Sequence, residues 1–229
     1  MIYRRVSHRV GFCCESGAAQ SRIKQPMTFL ENKNLHSGLS QLNLTLSAEK
    51  QSQLIQYLHL LQKWNRAYNL TAITEFDKMI SYHLLDSLSI APYITGNNIV
   101  DVGSGAGLPG IPLAVYFPEK QFTLIDSVGK KTQFMQQAVR ALALKNVTVV
   151  QARAEAYQPA KPFDTMTVRA VGSLERLTQI AVNLLKPGGE LLMMKSDASP
   201  NECQHARIVM LHVPGVNAKR SLIIVKPSS

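Results

Sequence analysis

The sequence predicts an α/β fold built on an open, mostly parallel sheet, and three observations carry that prediction. Strand-like and helix-like segments alternate from Ile99 onward, the signature of β-α-β units with parallel strands. The first strand breaks into a turn holding Gly103, Gly105, Gly107 and Gly110. The second strand ends on an acid, Asp126, one helix and one strand later.

Met1 to Pro26 stands apart. It carries Arg4, Arg5, Arg9, Arg22 and Lys24 against Glu15, with no apolar core of signal-peptide length. We read residues 1–26 as a disordered or non-native basic extension. Residues 27–95 are expected to form a helical cap and 96–229 the core, the two making one compact domain. Ser47 is a helix N-cap, and Leu54, Leu58, Leu61 and Trp64 recur at helical spacing behind it, giving one apolar stripe. Trp64 belongs to that stripe and is read as a packing residue. A second helix is expected over Phe76–Ala91, with Ile80, Leu84 and Leu88 on one face. Asn69, Leu70 and Thr71 lie between the two, and the cap is expected to adjoin the ligand mouth.

Ile99 to Val102 is a short β-branched run, and the glycines after it suit backbone that turns through positive φ or touches a ligand. The helix expected after the turn offers unpaired N–H groups. In open α/β sheets this turn lies at the carboxyl edge, where ligands bind. Gly105, Gly107 and Gly110 match dinucleotide spacing, which is weak evidence alone. Asp126, ending the strand Gln121–Ile125, suits a ribose diol, and both NAD and S-adenosylmethionine carry one. The competing role for Asp126 is to cap the helix expected from Ser127 to about Leu144.

Asn146–Gln151 is the third strand, followed by Ala152, Arg153, Ala154 and Glu155, and Phe163–Arg169 is the fourth. Leu184 to Gly189 stops a helix with Lys, Pro and two glycines. Glu190–Lys195 is then the fifth strand, and Arg220–Lys226 the last.

Lys and Arg number 25 against 15 Asp and Glu, a net charge of +10. Such a balance favours a polyanionic partner. No apolar run of about 20 residues marks a membrane span. Cys13, Cys14 and Cys203 form no metal-ligand spacing, so no metal is expected. Unpaired thiols point to a reducing compartment, the cytoplasm.

Four blocks resemble the RsmG or GidB methyltransferase family: Lys63–Thr71, His83–Ser87, Asp101–Pro112 and Leu124–Lys131. The block Trp64-Asn65 through Asn69-Leu70-Thr71, joined to the glycine turn, is specific to that family. Weaker agreement runs through Gln151–Glu155, Phe163-Asp164 and Arg169-Ala170.

The resemblance implies a Rossmann-like class I fold with seven strands, the last antiparallel. It implies an S-adenosylmethionine-dependent enzyme that methylates N7 of guanine 527 in bacterial 16S rRNA, a monomer acting on that RNA or on the small ribosomal subunit. Carried over residue by residue, it gives Gly103, Gly105, Leu108 and Asp126 to the methionine and ribose portion, and Ala154 and Glu155 to adenine. Arg169 falls to the methionine carboxylate or an RNA phosphate. Asn69, His83, Arg153, Lys195 and Arg220 are the candidate substrate contacts, and no residue is assigned as catalytic. Tyr82, Lys131 and Val168 depart from the family pattern, which has Arg, Arg and Ser there. A small NAD oxidoreductase and a noncatalytic RNA-binding protein are the competing readings.

Overall fold

A computed structural model describes residues 29–169, 172–196 and 206–227. The basic N-terminal extension and all three cysteines lie outside the described residues.

Two long helices open the fold, α1 (Phe29–Gln41) and α2 (Ala48–Tyr68). Ser47 caps α2 as expected, its hydroxyl accepting from the Lys50 N–H at 3.3 Å. Leu54, Leu58 and Leu61 are fully buried, each removing about 1.5–3 kcal/mol of apolar exposure. Trp64 packs edge-on against Phe134, ring centroids 5.7 Å apart, which makes it part of the seam between cap and core. The helix expected over Phe76–Ala91 is interrupted. It comprises α3 (Phe76–Met79), a π turn (Ile80–Leu85), α4 (Asp86–Leu88) and a 3₁₀ turn (Ala91–Tyr93).

The seven strands are β1 (Asn98–Val102), β2 (Gln121–Asp126), β3 (Val147–Gln151), β4 (Phe163–Arg169), β5 (Leu185–Lys195), β6 (Arg207–Leu211) and β7 (Arg220–Val225). Their order is β3-β2-β1-β4-β5-β7-β6. The first five in that order are parallel, while β7 is antiparallel to β5 and to β6. The order reverses between β1 and β4, the switch point at whose carboxyl edge open α/β sheets form a crevice.

Three further helices connect the strands: α5 (Gly110–Tyr116), α6 (Gly129–Ala141) and α7 (Leu174–Leu184). α6 is shorter than the sequence suggests: Asp126 takes the Val128 N–H at 2.9 Å ahead of its start, and Ala143, at φ 53°, turns the chain left-handed just past its end. β5 begins at Leu185, not Glu190. Lys186 to Gly189 bulge out opposite Asp164, between the pairs Phe163/Leu185 and Thr165/Glu190.

Period-2 alternation divides the strands between two cores. Ile99, Leu192, Met194 and Leu222 face the cap, α5 and α6. Val100, Leu191, Met193 and Ile223 face α7. The cap helices thereby share one continuous core with the sheet and hang over its carboxyl edge.

Candidate cofactor cleft and substrate edge

The glycine turn is a corner that glycine alone fits. Gly103, Gly105 and Gly107 sit at φ of 67°, 60° and 86°, conformations that glycine adopts without a steric penalty. Gly110 is glycine for a different reason: a Cβ there would overlap Leu124 and stand 2.9 Å from Asp101 Oδ2. Asp101 is wholly buried beneath the turn. Its Oδ1 accepts from Thr167 Oγ1 at 3.0 Å and its Oδ2 from the Gly110 N–H at 3.1 Å. Burial outweighs those bonds and pushes its pKa up to about 6. From the cap, the buried Tyr57 hydroxyl donates to Ala106 O at 2.7 Å, tying the turn to α2.

The expectation that this turn presents free N–H donors is corrected by the structure. Gly103 and Ser104 donate to Ile125 O, Gly107 and Leu108 donate to Ser104 O, and Ile111 donates to Gly107 O. Gly105 donates to Asp126 Oδ2 at 2.9 Å, and Gly110 to Asp101. A dinucleotide pyrophosphate needs such donors. Here they close the turn on itself, leaving a surface better suited to an uncharged ribose and a methionine chain than to phosphates.

Beside the turn, the carboxyl ends of β1, β2 and β3 and the first half of α7 enclose a cleft of about 220 Å³. Gly103, Asp126, Arg153, Ala154 and Glu155 line it together, uniting residues that the sequence scatters over three strand ends. Asp126 is only 6% exposed. Its two oxygens accept from Gly105 and Val128, and Lys131 Nζ lies 3.8 Å away. An ionised carboxylate has about four acceptor positions, so capacity remains for a diol after both backbone bonds are made. Capping and ligand binding are therefore compatible in Asp126. Val102, Ile125, Leu177 and Ile180 give the cleft an apolar wall, the surface a flat purine requires, while Lys131, Arg153 and Arg176 line it with charge.

Leu108 is placed elsewhere: it is buried in the core below the turn and lines no part of the cleft. Gly105 acts through its N–H on Asp126. Glu155 is exposed and ion-paired to Arg176, which holds its carboxylate below the ordinary value. Arg176, Leu177 and Ile180 were not singled out from the sequence; they come from α7, whose start Ser173 caps by accepting from the Arg176 N–H at 3.4 Å.

Arg169, Arg220, His83 and Lys195 lie on the opposite side of the switch point, while Asn69 follows Tyr68, whose carbonyl accepts from Lys130 Nζ on α6 at 2.9 Å. Arg169, at the end of β4, donates through Nη1 to Tyr82 O at 3.0 Å and to Asp86 Oδ2 at 3.2 Å. The carboxylate partner of Arg169 is thus Asp86, while Asp164, at the other end of β4, pairs with Lys186. Arg220, at the start of β7, donates through Nε to Asp86 Oδ1 at 2.9 Å. His83 is buried, with Nε2 3.0 Å from Thr71 Oγ1 and Nδ1 without a hydrogen-bond partner. Burial, reinforced by the Arg169 charge, lowers its pKa to about 4. Asn69 is the exposed left-handed C-cap of α2, at φ 49°, and its N–H is used on Asn65 O. Lys195 ends β5 beside Ser221.

Residues 50–221 match the family described as rRNA small subunit methyltransferase G. A relative of that name from Coxiella burnetii (strain Dugway 5J108-111) is 50% identical over 198 residues, covering 85% of this chain and 97% of its own. Another from Marinobacter nauticus is 48% identical over 198 residues, covering 83% and 92%. Among solved structures, a precorrin-6y C5,15-methyltransferase from Geobacter metallireducens superposes with a TM-score of 0.50 at 14% identity, covering 70% of this chain and 92% of its own. A tRNA (m1A58) methyltransferase from Aquifex aeolicus gives 0.51 at 16% identity, covering 63% and 69%. Those two likenesses show the fold alone, the class I S-adenosylmethionine-dependent methyltransferase fold. With the family match running from the first turn of α2 through the glycine turn and β1–β6 to the start of β7, this chain belongs to the rRNA small subunit methyltransferase G family.

Proposed function

We propose that this chain transfers a methyl group from S-adenosylmethionine to N7 of guanine 527 in bacterial 16S rRNA, as a monomer in the cytoplasm. The observation that carries the cofactor half is Asp126, a buried carboxylate at a cleft with an apolar wall, beside a turn most of whose N–H donors are already used. Asp126 would hold the ribose diol, and Ala154 and Glu155 would border the adenine. Gly103 would approach the methionine portion, with Gly105 and Leu108 shaping the turn. The cofactor supplies an electrophilic methyl on a positively charged sulfur.

Guanine N7 carries an in-plane lone pair, so no general base is needed before attack. The chain's contribution is then alignment, which gives up to about 7 to 11 kcal/mol when reacting atoms are held in line. Positive charge builds on the purine as the methyl moves, and an acceptor for the guanine N1-H and N2-H groups stabilises it. Asn69, His83, Arg153, Lys195 and Arg220 are the proposed substrate contacts. Of the two roles open to Arg169, its pairing away from the cleft favours an RNA phosphate. A guanine inside an A-form duplex hides N7 in the deep, narrow groove, so the target is a loop or an extruded base.

Calorimetric titration of the chain with S-adenosylmethionine and with NADH tests the cofactor. Binding of the first alone is expected, and binding of NADH alone refutes the proposal. Methylation of 16S rRNA should exceed that of GTP by orders of magnitude.

A further inference from the structure

Asp86 stands where the π turn passes into α4, with a side chain only 5% exposed. Two guanidiniums converge on it from distant parts of the chain, Arg169 on Oδ2 and Arg220 on Oδ1. His83 is neutral at pH 7, so the group retains one net positive charge. Both of the Arg169 bonds to Asp86 and Tyr82 use Nη1, leaving its Nε and Nη2 outside the clamp. Arg220 commits Nε to Asp86 and Nη1 to Lys219 O, with Nη2 outside. Its guanidinium lies 5.8 Å from the Tyr82 ring centroid.

The location is informative. Arg169 follows Val168, the register partner of Val102, and Val102 leads directly into Gly103. The clamp therefore sits one strand from the cofactor cleft, at the same carboxyl edge. The arginine side chains keep 22% and 17% exposure, while their shared anion is buried. A buried ion pair is weak as a source of stability, but charge-assisted bonds to a planar guanidinium fix its orientation.

We propose that Asp86 is a positioning residue: it orients Arg169 and Arg220 so that their outward N–H groups grip the phosphodiester backbone of the RNA beside the target nucleotide. The inference rests on the rRNA methyltransferase reading and adds a residue to it. The sign of the charge change makes it testable. Replacing Asp86 by Asn raises the net charge of the group by one, which on electrostatics alone tightens RNA binding; loss of orientation weakens it.

The test compares the full chain with Asp86→Asn and Asp86→Glu, using unmodified small-subunit rRNA and S-adenosylmethionine. Expected for Asp86→Asn are a KM for RNA raised at least tenfold and a cofactor Kd within twofold of the parent, with Asp86→Glu recovering part of the loss. An unchanged or lower KM overturns the proposal. If Asp86→Asn does not fold, Arg220→Lys keeps the charge and removes the planar geometry; a KM at least threefold higher is expected, and an unchanged KM overturns it. Should the parent chain transfer no methyl to this RNA, the methyltransferase reading fails. RNA-binding anisotropy of the same variants then decides the clamp by itself, weaker binding for Asp86→Asn supporting it and equal or tighter binding overturning it.

Discussion

Asp126→Asn separates the observed backbone bonds of one carboxylate from its proposed hold on the ribose diol. In the native chain its oxygens accept from Gly105 N and Val128 N at 2.9 Å each. An Asn keeps one oxygen for Val128 but turns an NH₂ toward the Gly105 N–H, donor against donor. Losing that charge-assisted bond costs about 1.5–3 kcal/mol of stability, read as a lower midpoint in urea unfolding. The bond to the ribose diol is lost separately, and the same range per bond converts to a Kd for S-adenosylmethionine higher by about ten- to 150-fold. Calorimetry on the folded variant, with the unfolding curve measured in parallel, reads both. A lower midpoint with Kd within threefold of the parent would reduce Asp126 to a helix cap and refute the cofactor assignment.

Two separate buried groups, His83 and Asp101, titrate with opposite signs. His83, at about 4 in the fold and about 6.5 unfolded, loses its contribution as pH falls below about 6.5. Asp101, at about 6 in the fold and about 3.9 unfolded, destabilises as pH rises over about 4 to 6. Each is on the order of 3 kcal/mol across its window, so they offset one another between pH 4 and 6. Urea unfolding against pH should therefore show Asp101→Asn gaining stability more steeply with pH than the parent, and His83→Gln less steeply; parallel curves for all three would contradict the assignment. Gly110→Ala, which forces a methyl into Leu124 and Asp101, should destabilise by about 1–3 kcal/mol in the same measurement. Methylation of rRNA at limiting RNA should fall severalfold or more between about 50 and 200 mM salt, and a salt-independent rate would remove the phosphate contacts.

Where local chemistry decides, the sequence was readable. Ser47 marks the start of α2, and β-branched runs mark β1 to β3. The glycines and Asp126 were readable because one helix and one strand separate them, the β-α-β interval that brings Asp126 back to 2.9 Å from the Gly105 nitrogen. Elements decided by distant partners were not readable. α1 has a mid-helix Gly38, a poor helix former, yet that glycine is where Leu85 packs. The π turn inserts into what reads as a regular apolar stripe. β6 carries no signal beyond five mostly apolar residues and is defined by β7. Most of the N–H donors expected to be free at the glycine turn are consumed by Asp101, Ser104, Gly107, Ile125 and Asp126, bonds that only the folded register reveals. The Asp86 clamp joins residues 83 and 134 positions apart, so no motif encodes it.

The central claim is a chemical one, and locating the added methyl tests it most directly. Unmodified small-subunit rRNA is incubated with the chain and isotopically labelled S-adenosylmethionine, digested to nucleosides, and mapped by mass spectrometry and by cleavage at N7-methylated guanines. The account predicts label on N7 of a single guanine, at position 527. Label on a ribose or a pyrimidine, with none on guanine N7, contradicts it even where cofactor binding is intact.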